Sequence, residues 1–253
     1  RSPDDPNGSS TPARTLNIPS FDIPAPPFDA ANGFSLSNAV LVGDRLPGED
    51  NDLPAIRRAF ATGRSAVFLR TGKVYFIPDT IEIPDHVTLF HGMGAELNLG
   101  PFGQLFNNPS APYPVFRIPS SRPAQSPIWF EHVFFNTQYP GVALFQNNAS
   151  CNLILRHVAG WVGADGKGLA LLPPAAPPPK KQGSVFAEDV FLPNWHFQNQ
   201  SAVLVQFNPE NYHGDGSIPL VANDGGKIAI LGFKTEGPAP FLLTKNGRSL
   251  LLG

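Results

Sequence analysis

The sequence predicts an all-β protein built as a parallel β-helix, a solenoid of short strands with one capping helix near its N-terminal end. Three observations carry that prediction. Short apolar or alternating runs recur along most of the chain, broken by Gly, Pro and Asp. From Tyr113 onward these runs come back at a near-constant interval. One segment only, around residues 52–62, has the spacing of an amphipathic helix. Composition bounds the rest. The chain has 253 residues, of which 42% are hydrophobic and 20 are Phe, so it can build a large core and is not disordered throughout. Lys and Arg number 18 against 20 Asp and Glu, a formal charge of −2, so no basic face and no nucleic-acid partner is expected. No apolar run reaches the roughly 18 residues that a membrane helix needs, so no span is expected. Cys151 is the one cysteine; it allows no internal disulfide and fits no zinc pattern.

The prolines divide the chain. Of 29, seven lie in residues 1–30 and five in 173–179. The first stretch mixes Pro, Ser, Asn and Asp, so residues 1–36 read as an extended Pro-rich arm. Ile18, Phe21, Ile23 and Phe28 are the apolar residues with which such an arm would anchor along a folded body. Its first residues, Arg1-Ser2-Pro3-Asp4, contain no charged-then-apolar leader. The β-helix is expected over 37–253, with a Pro-rich insertion at 173–182. In the capping helix, Asn51 and Asp52 serve as caps, Pro54 suits the first turn and Gly63 ends it. Ala55, Ile56, Ala59 and Phe60 make its apolar face.

Strands are expected at Ser65–Leu69, Val74–Ile77, Ile81–Ile83 and Val87–Phe90. A first repeated run begins at Pro114, Gly141, Gly168, Ser201 and Ala239, at spacings of 27, 27, 33 and 38. Insertions at 173–182 and 209–217 account for the longer intervals. A second run begins at Ile128, Leu153, Val185 and Ile228 and reads apolar, any, apolar, any, turn, apolar. Alternation sends its first and third residues to one side. Its fifth residues, His132, His157, Asp189 and Gly232, are where the chain corners. Repeats of this length made of strands stack coil on coil, because no single coil buries its own face.

These stretches resemble the pectate-lyase-like superfamily of single-stranded right-handed β-helices. Gly43-Asp44, followed by Asn51-Asp-Leu-Pro-Ala-Ile-Arg-Arg-Ala-Phe60, is similar to the family's opening turn and cap helix. Val67-Phe-Leu69, Gly72-Lys-Val-Tyr-Phe-Ile-Pro-Asp79, Ile81-Glu-Ile-Pro84 and Val87-Thr-Leu-Phe-His-Gly-Met-Gly94 resemble its first coils. Gln206-Phe-Asn-Pro-Glu210, Asn223-Asp-Gly-Gly-Lys227 and Ile230-Leu-Gly-Phe-Lys-Thr-Glu-Gly237 look like a subgroup of bacterial secreted β-helix proteins. The resemblance runs from about Val42 to Gly253. It implies a right-handed coil and a secreted, extracellular location. It assigns no activity, since the scaffold hosts lyases, hydrolases, spikes and adhesins.

Neither the lyase calcium cluster nor the hydrolase Gly-His-Gly motif is present; His91-Gly92-Met93-Gly94 reads as a glycine turn. Asp44, Asp50 and Asp52 belong to the helix N-terminus. Glu131, Arg156 and Glu188 are expected to stack outward as acid, base, acid, for roughly 0.2–1 kcal/mol per pair. His132 and His157 stack at the corner, but no third ligand is evident, so neither a metal nor a cofactor is expected. A late polar cluster holds Gln206, Asn208, Glu210, Tyr212, His213, Asp215, Asp224, Lys234 and Glu236. Within it Glu210 and Glu236 are the candidate catalytic carboxylates, since glycoside hydrolysis uses two carboxyls about 5–10 Å apart. Trp129, Trp195, Tyr212, His213, Lys234 and Asp224 are the candidate substrate-binding residues, Trp129 as an outward ring and Trp195 in a loop. Trp161 and Tyr139 are further rings suited to a sugar face. Asn7, Asn148 and Asn199 each open an Asn-x-Ser triplet.

Two functions follow. One is a secreted protein that binds or cleaves polysaccharide, or a cell-surface glycan, along the side of the coil. The other is a structural subunit, an adhesin, spike or filament element that forms homo-oligomers. The final run, Thr244-Lys-Asn-Gly-Arg-Ser-Leu-Leu-Leu-Gly253, carries no covering segment, so a neighbouring copy or the folded-back arm is expected to cover the last coil.

Overall fold

The computed structural model describes residues 36–175, 182–211, 214 and 216–253. The expected arm, Asn7 and most of the Pro-rich insertion lie outside the described residues.

The helix forms where its signals put it. It spans Leu53–Ala61 (α1), with Asp52 at the N-cap, Pro54 in the first turn and Thr62 at the C-cap. Asn51 Oδ1 accepts the Leu53 N–H at 3.1 Å, and Gly63 follows with φ 73°. Leu53, Ala55, Ile56, Ala59 and Phe60 are buried, so the apolar face covers one end of the core.

The strands come three to a circuit at first and two to a circuit later. Ala39–Leu41 (β1) opens the series, followed by Ala66–Phe68 (β2), Val74–Phe76 (β3) and Ile81–Glu82 (β4). Then come Leu89–His91 (β5), Glu96–Asn98 (β6), Tyr113–Ile118 (β7), Ile128–Glu131 (β8), Phe134–Thr137 (β9) and Val142–Asn147 (β10). Leu153–Val162 (β11), Leu169–Leu172 (β12), Val185–Phe191 (β13), Trp195–Gln198 (β14) and Ala202–Asn208 (β15) follow. Val221–Asp224 (β16), Lys227–Phe233 (β17), Leu242–Lys245 (β18) and Arg248–Leu252 (β19) end it. The first sheet runs β1-β2-β5-β8-β11-β13-β15-β17-β19, and β3-β6-β9 joins it through the second half of β11. The second sheet runs β4-β7-β10-β12-β14-β16-β18. The described pairings are parallel, and each strand pairs with its counterpart one circuit earlier and one later. This is the stacking expected of a parallel β-helix.

Inward residues stack in register through the circuits. Val67, Phe90, Phe130, Leu155, Ala187, Leu204 and Ile230 form one such column, and all are buried in one continuous core. Phe116 lies 4.7 Å from Phe130 and 5.7 Å from Phe145, ring to ring. Such aromatic pairs each add about 0.5–1.5 kcal/mol beyond area burial.

The corners are the predicted ones. His132, His157 and Asp189 have φ of 50°, 50° and 52°, and Gly232 has 71°. A single left-handed residue turns the chain sharply while the strands on either side stay paired with their neighbours. His, Asp and Asn tolerate that conformation better than most residues.

One register assignment is corrected. Ser201–Val205 does not continue the run begun at Pro114; it opens β15, which pairs with β13 and β17 in the first sheet. Gln206 is a fifth corner, with φ 49°. The second sheet instead continues through β14 and β16, so from β7 on its strands start 29, 27, 26, 26 and 21 residues apart. The long intervals read from the sequence came from skipping a strand. Gln at the corner hid β15, and the aromatic Trp195-His-Phe run looked like a loop.

Candidate functional site

The late polar cluster lies where the loop after β15 meets the end of β17. Lys234 Nζ stands 3.1 Å from Glu210 Oε1 and 2.7 Å from Glu236 Oε1. The two expected carboxylates are therefore brought to one place, but as a triad around a shared cation. Glu236 and then Glu210 push the Lys234 ammonium up, holding it protonated. Glu210 is buried at 6% exposure, while Lys234 is exposed. Tyr212, His213 and Asp215 lie outside the described residues.

Glu210 also lines a cleft of about 330 Å³. Its floor is the second half of β11, Gly160, Trp161 and Val162, beside Phe191 of β13 and Pro193. Gln138 and Asn211 line it as well. Trp161 is 48% exposed and meets Phe191 edge to face at 5.4 Å and 87°. That contact fixes the indole plane and leaves much of the ring to solvent. Trp161 is in register with Asn136 and, through it, with Asn98, so two polar amides precede the ring along the same column.

The lip of the cleft is the segment Gly163–Gly166, held by two buried amides. Asn194 Nδ2 donates to Gly166 O and Gly168 O, both at 2.8 Å. Asn211 Nδ2 donates to Gly166 O at 2.9 Å and to Asn194 Oδ1 at 3.1 Å. Gly166, at φ 68°, meets Asn211 and Gly214 so closely that a Cβ would lie 2.4 Å from Asn211 Oδ1. Asn194, Asn211 and Gln138 were not singled out from the sequence. Asn194-Trp195 looked like loop, and nothing local marks an Asn that reaches a segment 28 residues away.

The other expected aromatic residues are placed differently. Trp195 is not in a loop: it opens β14, is 1% exposed, and donates from Nε1 to Leu192 O at 2.9 Å inside the core. Burial there takes it away from any sugar face. Trp129 does point out from its strand, yet it is 2% exposed. Tyr139 is half-buried and donates its hydroxyl to Gly100 O at 2.6 Å. Asp224 stands apart from Lys234, in a separate cleft lined also by His196 and Lys245, and accepts from Asn246 at 3.2 Å.

The outward columns at the corner are as expected. Arg156 sits between Glu131 and Glu188 in register; its Nε is 2.8 Å from Glu188 Oε2 and its Nη1 is 3.6 Å from Glu131 Oε1. His132 and His157 stack at 4.6 Å, and His157 Nδ1 lies 2.8 Å from Asp189 Oδ2. His91 extends the stack at 5.0 Å from His132. Among the described residues no three His, Cys, Asp or Glu side chains are grouped to hold a metal. At the helix, buried Asp52 takes Arg45 Nη2 at 2.6 Å, Lys73 Nζ at 3.1 Å and the Phe76 N–H at 2.8 Å. Burial by itself would raise its carboxyl, but Arg45, Phe76 and Lys73 together hold it below the ordinary value. Asp52 thus ties the helix to β3, which is a structural role.

The chain is thus built of stacked parallel β-strands, with a cleft lined by Trp161, Gln138, Asn211 and Glu210. Comparison with protein-family models, with curated proteins and with solved structures gives no match. No described helix is long and apolar enough to cross a membrane.

Proposed function

We propose that the protein is a secreted right-handed parallel β-helix of the pectate-lyase-like kind that binds polysaccharide in the Trp161 cleft. One observation carries this reading: an indole fixed by Phe191 and half open to solvent, in a cleft that Gln138, Asn211 and Glu210 also line. A sugar ring offers apolar C–H faces that stack on indole and hydroxyls that pair with amides and carboxylates. The test is a fluorescence titration with acidic polysaccharides and β-glucans. Native protein is expected to bind one of them, and Trp161→Ala to lose affinity by about tenfold or more, the loss of one good stacking contact. Equal affinity in the variant overturns the assignment. Cleavage enters through Glu210 and Glu236. If product forms, Glu210→Gln and Glu236→Gln decide whether this pair carries the reaction, and unchanged rates in both remove it.

The second reading is a filament, spike or adhesin subunit. It draws on Leu243, Leu251 and Leu252, which are exposed on β18 and β19 at the edges of the two sheets. Sedimentation across a concentration series tests it. Assembly that Leu251→Asp abolishes supports it, and a monomer throughout removes it.

A further inference from the structure

Charges on neighbouring strands of this stack meet with opposite signs in three places. Glu82 is in register with Arg117, Arg156 stands between Glu131 and Glu188, and Asp224 is opposite Lys245. At the corner between the second sheet and the first, in the last two circuits, like meets like. Lys227, the first residue of β17, is in register with Arg248, the first residue of β19. Ile228, next after Lys227, belongs to the interior core, so alternation turns Lys227 and its register partner outward. Both are exposed. Their backbones lie about 4.8 Å apart, and like charges directly opposite on adjacent strands repel. Lys245, three residues before Arg248 on the other side of the same corner, is exposed as well. Three cations against the one carboxylate of Asp224 give this group a formal charge of +2.

Lys245 also lines a cleft of about 380 Å³ on the outward side of the second sheet. His196, Ala222 and Leu243 follow one another in register there, on β14, β16 and β18. The small Ala222 leaves a dent between the imidazole and the leucine. Asp224 and Lys245 lie two residues further along their strands, so they share that outward side. Asp224 accepts from a hydroxyl, Lys245 donates to one, and a neutral imidazole does both. Burial holds His196 below its ordinary value, against the pull of Asp224, so its ring is neutral at pH 7. The cleft therefore suits a body rich in hydroxyls, and Lys245 joins it to the cationic corner. A phosphate monoester carries about −1.5 to −2 at neutral pH, which balances this corner, whereas a carboxylate carries half that. The Arg248 fork can take two phosphate oxygens, with Lys227 as a point charge beside it.

We propose that Lys227, Lys245 and Arg248 form a phosphate-binding corner, and that the cleft beside it takes the hydroxyl-bearing body of a phosphorylated sugar. The site is separate from the Trp161 cleft and stands or falls without it. The experiment is a calorimetric titration of the full chain at neutral pH and low salt. Its probes are glucose 1-phosphate, glucose 6-phosphate, inorganic phosphate, glucose, and vesicles containing phosphatidic acid. At least one of the two sugar phosphates is expected to bind about tenfold or more tighter than inorganic phosphate, and glucose to show no measurable heat. Lys227→Gln and Arg248→Gln are each expected to weaken that binding by about tenfold, the loss of one charge-assisted contact, while Lys227→Arg retains it. Ala222→Leu fills the dent; it is expected to bring the sugar phosphate down to the level of inorganic phosphate and leave phosphate binding unchanged. Far-UV circular dichroism confirms that each variant is folded. Unchanged affinity in both Gln variants overturns the corner. Sugar phosphates that bind no tighter than inorganic phosphate overturn the cleft's part in it. Binding to the vesicles without binding to either soluble sugar phosphate assigns the phosphate to a lipid headgroup and overturns the proposal.

Discussion

Trp129 and Trp161 both stand at outward positions on neighbouring strands of the same stack, yet one is 2% exposed and the other 48%. Trp129 belongs to an apolar ladder, with Leu89 before it and Ile154 after it. Trp161 belongs to a polar column, after Asn98 and Asn136. The difference teaches that the outside of a stacked β-protein is not one surface. A column whose neighbours are apolar is built to be covered, and a column whose neighbours are amides is built to stay wet. The same residue type is structural in the first and available for binding in the second.

The strongest way to break this contrast is to truncate both rings. Trp129→Ala is expected to lower unfolding stability by about 3–5 kcal/mol, as for a buried large side chain. Trp161→Ala is expected to change it by less than about 0.5 kcal/mol, as for an exposed site. Denaturant titration of both variants measures the gap, and equal losses would end the distinction. The charged column beside the ladder gives the next effect. Arg156→Met leaves the buried Glu131 carboxyl without its cation and is expected to cost about 1–3 kcal/mol. Burial already pushes that carboxyl up, against the pull of Arg156. Adding Glu131→Gln should restore most of the loss in a double-mutant cycle.

A pH titration sharpens the contrast further. Burial, and then His132, lowers His91 from 6.5 to about 4. Its Nδ1 accepts the Met93 N–H at 2.9 Å, which a protonated ring cannot do. The unfolded chain therefore binds this proton first. The contribution is complete above about pH 6.5 and is lost as pH falls to about 4. The difference in stability between native protein and His91→Gln, measured by urea titration at several pH values, should shrink across that window. Glu131 has the opposite sign, and taking the difference between the two proteins removes it. The smallest effect belongs to the exposed end of the column. Glu188→Gln should cost less than about 1 kcal/mol, measured by the same titration in low salt.

Much of the fold was legible because its signals are local. Asn51, Asp52, Pro54 and Gly63 bound the helix within a residue or two, and the fifth-position residues located four corners. Gln206 escaped because Gln has no marked preference for the left-handed region, and one missed corner moved a whole strand to the wrong sheet. The site was less legible. Glu210, Lys234 and Glu236 come together as the sequence suggested, but Asn194 and Asn211 act on a lip far away in the chain. Trp195 failed for a related reason: Pro193 and Asn194 before it read as loop, and only the pairing of β14 with β12 and β16 makes it a strand. Exposure of Trp129 was illegible in principle, since it depends on what lies over the sheet and not on the strand itself.

The column of left-handed corners has one more consequence. At His132, His157, Asp189, Gln206 and Gly232 the backbone demands a left-handed conformation, and the side chains of the first three lie outside the core and meet one another along the column. Successive corners fall about 4.8 Å apart, the spacing of paired strands. The molecule therefore carries a ruler along its edge, with one interchangeable mark per circuit. Groups written on it would meet a linear partner at fixed, countable intervals, and marks drawn from Gly, Asn, Asp and His, which tolerate the left-handed backbone, would leave the fold beneath it alone.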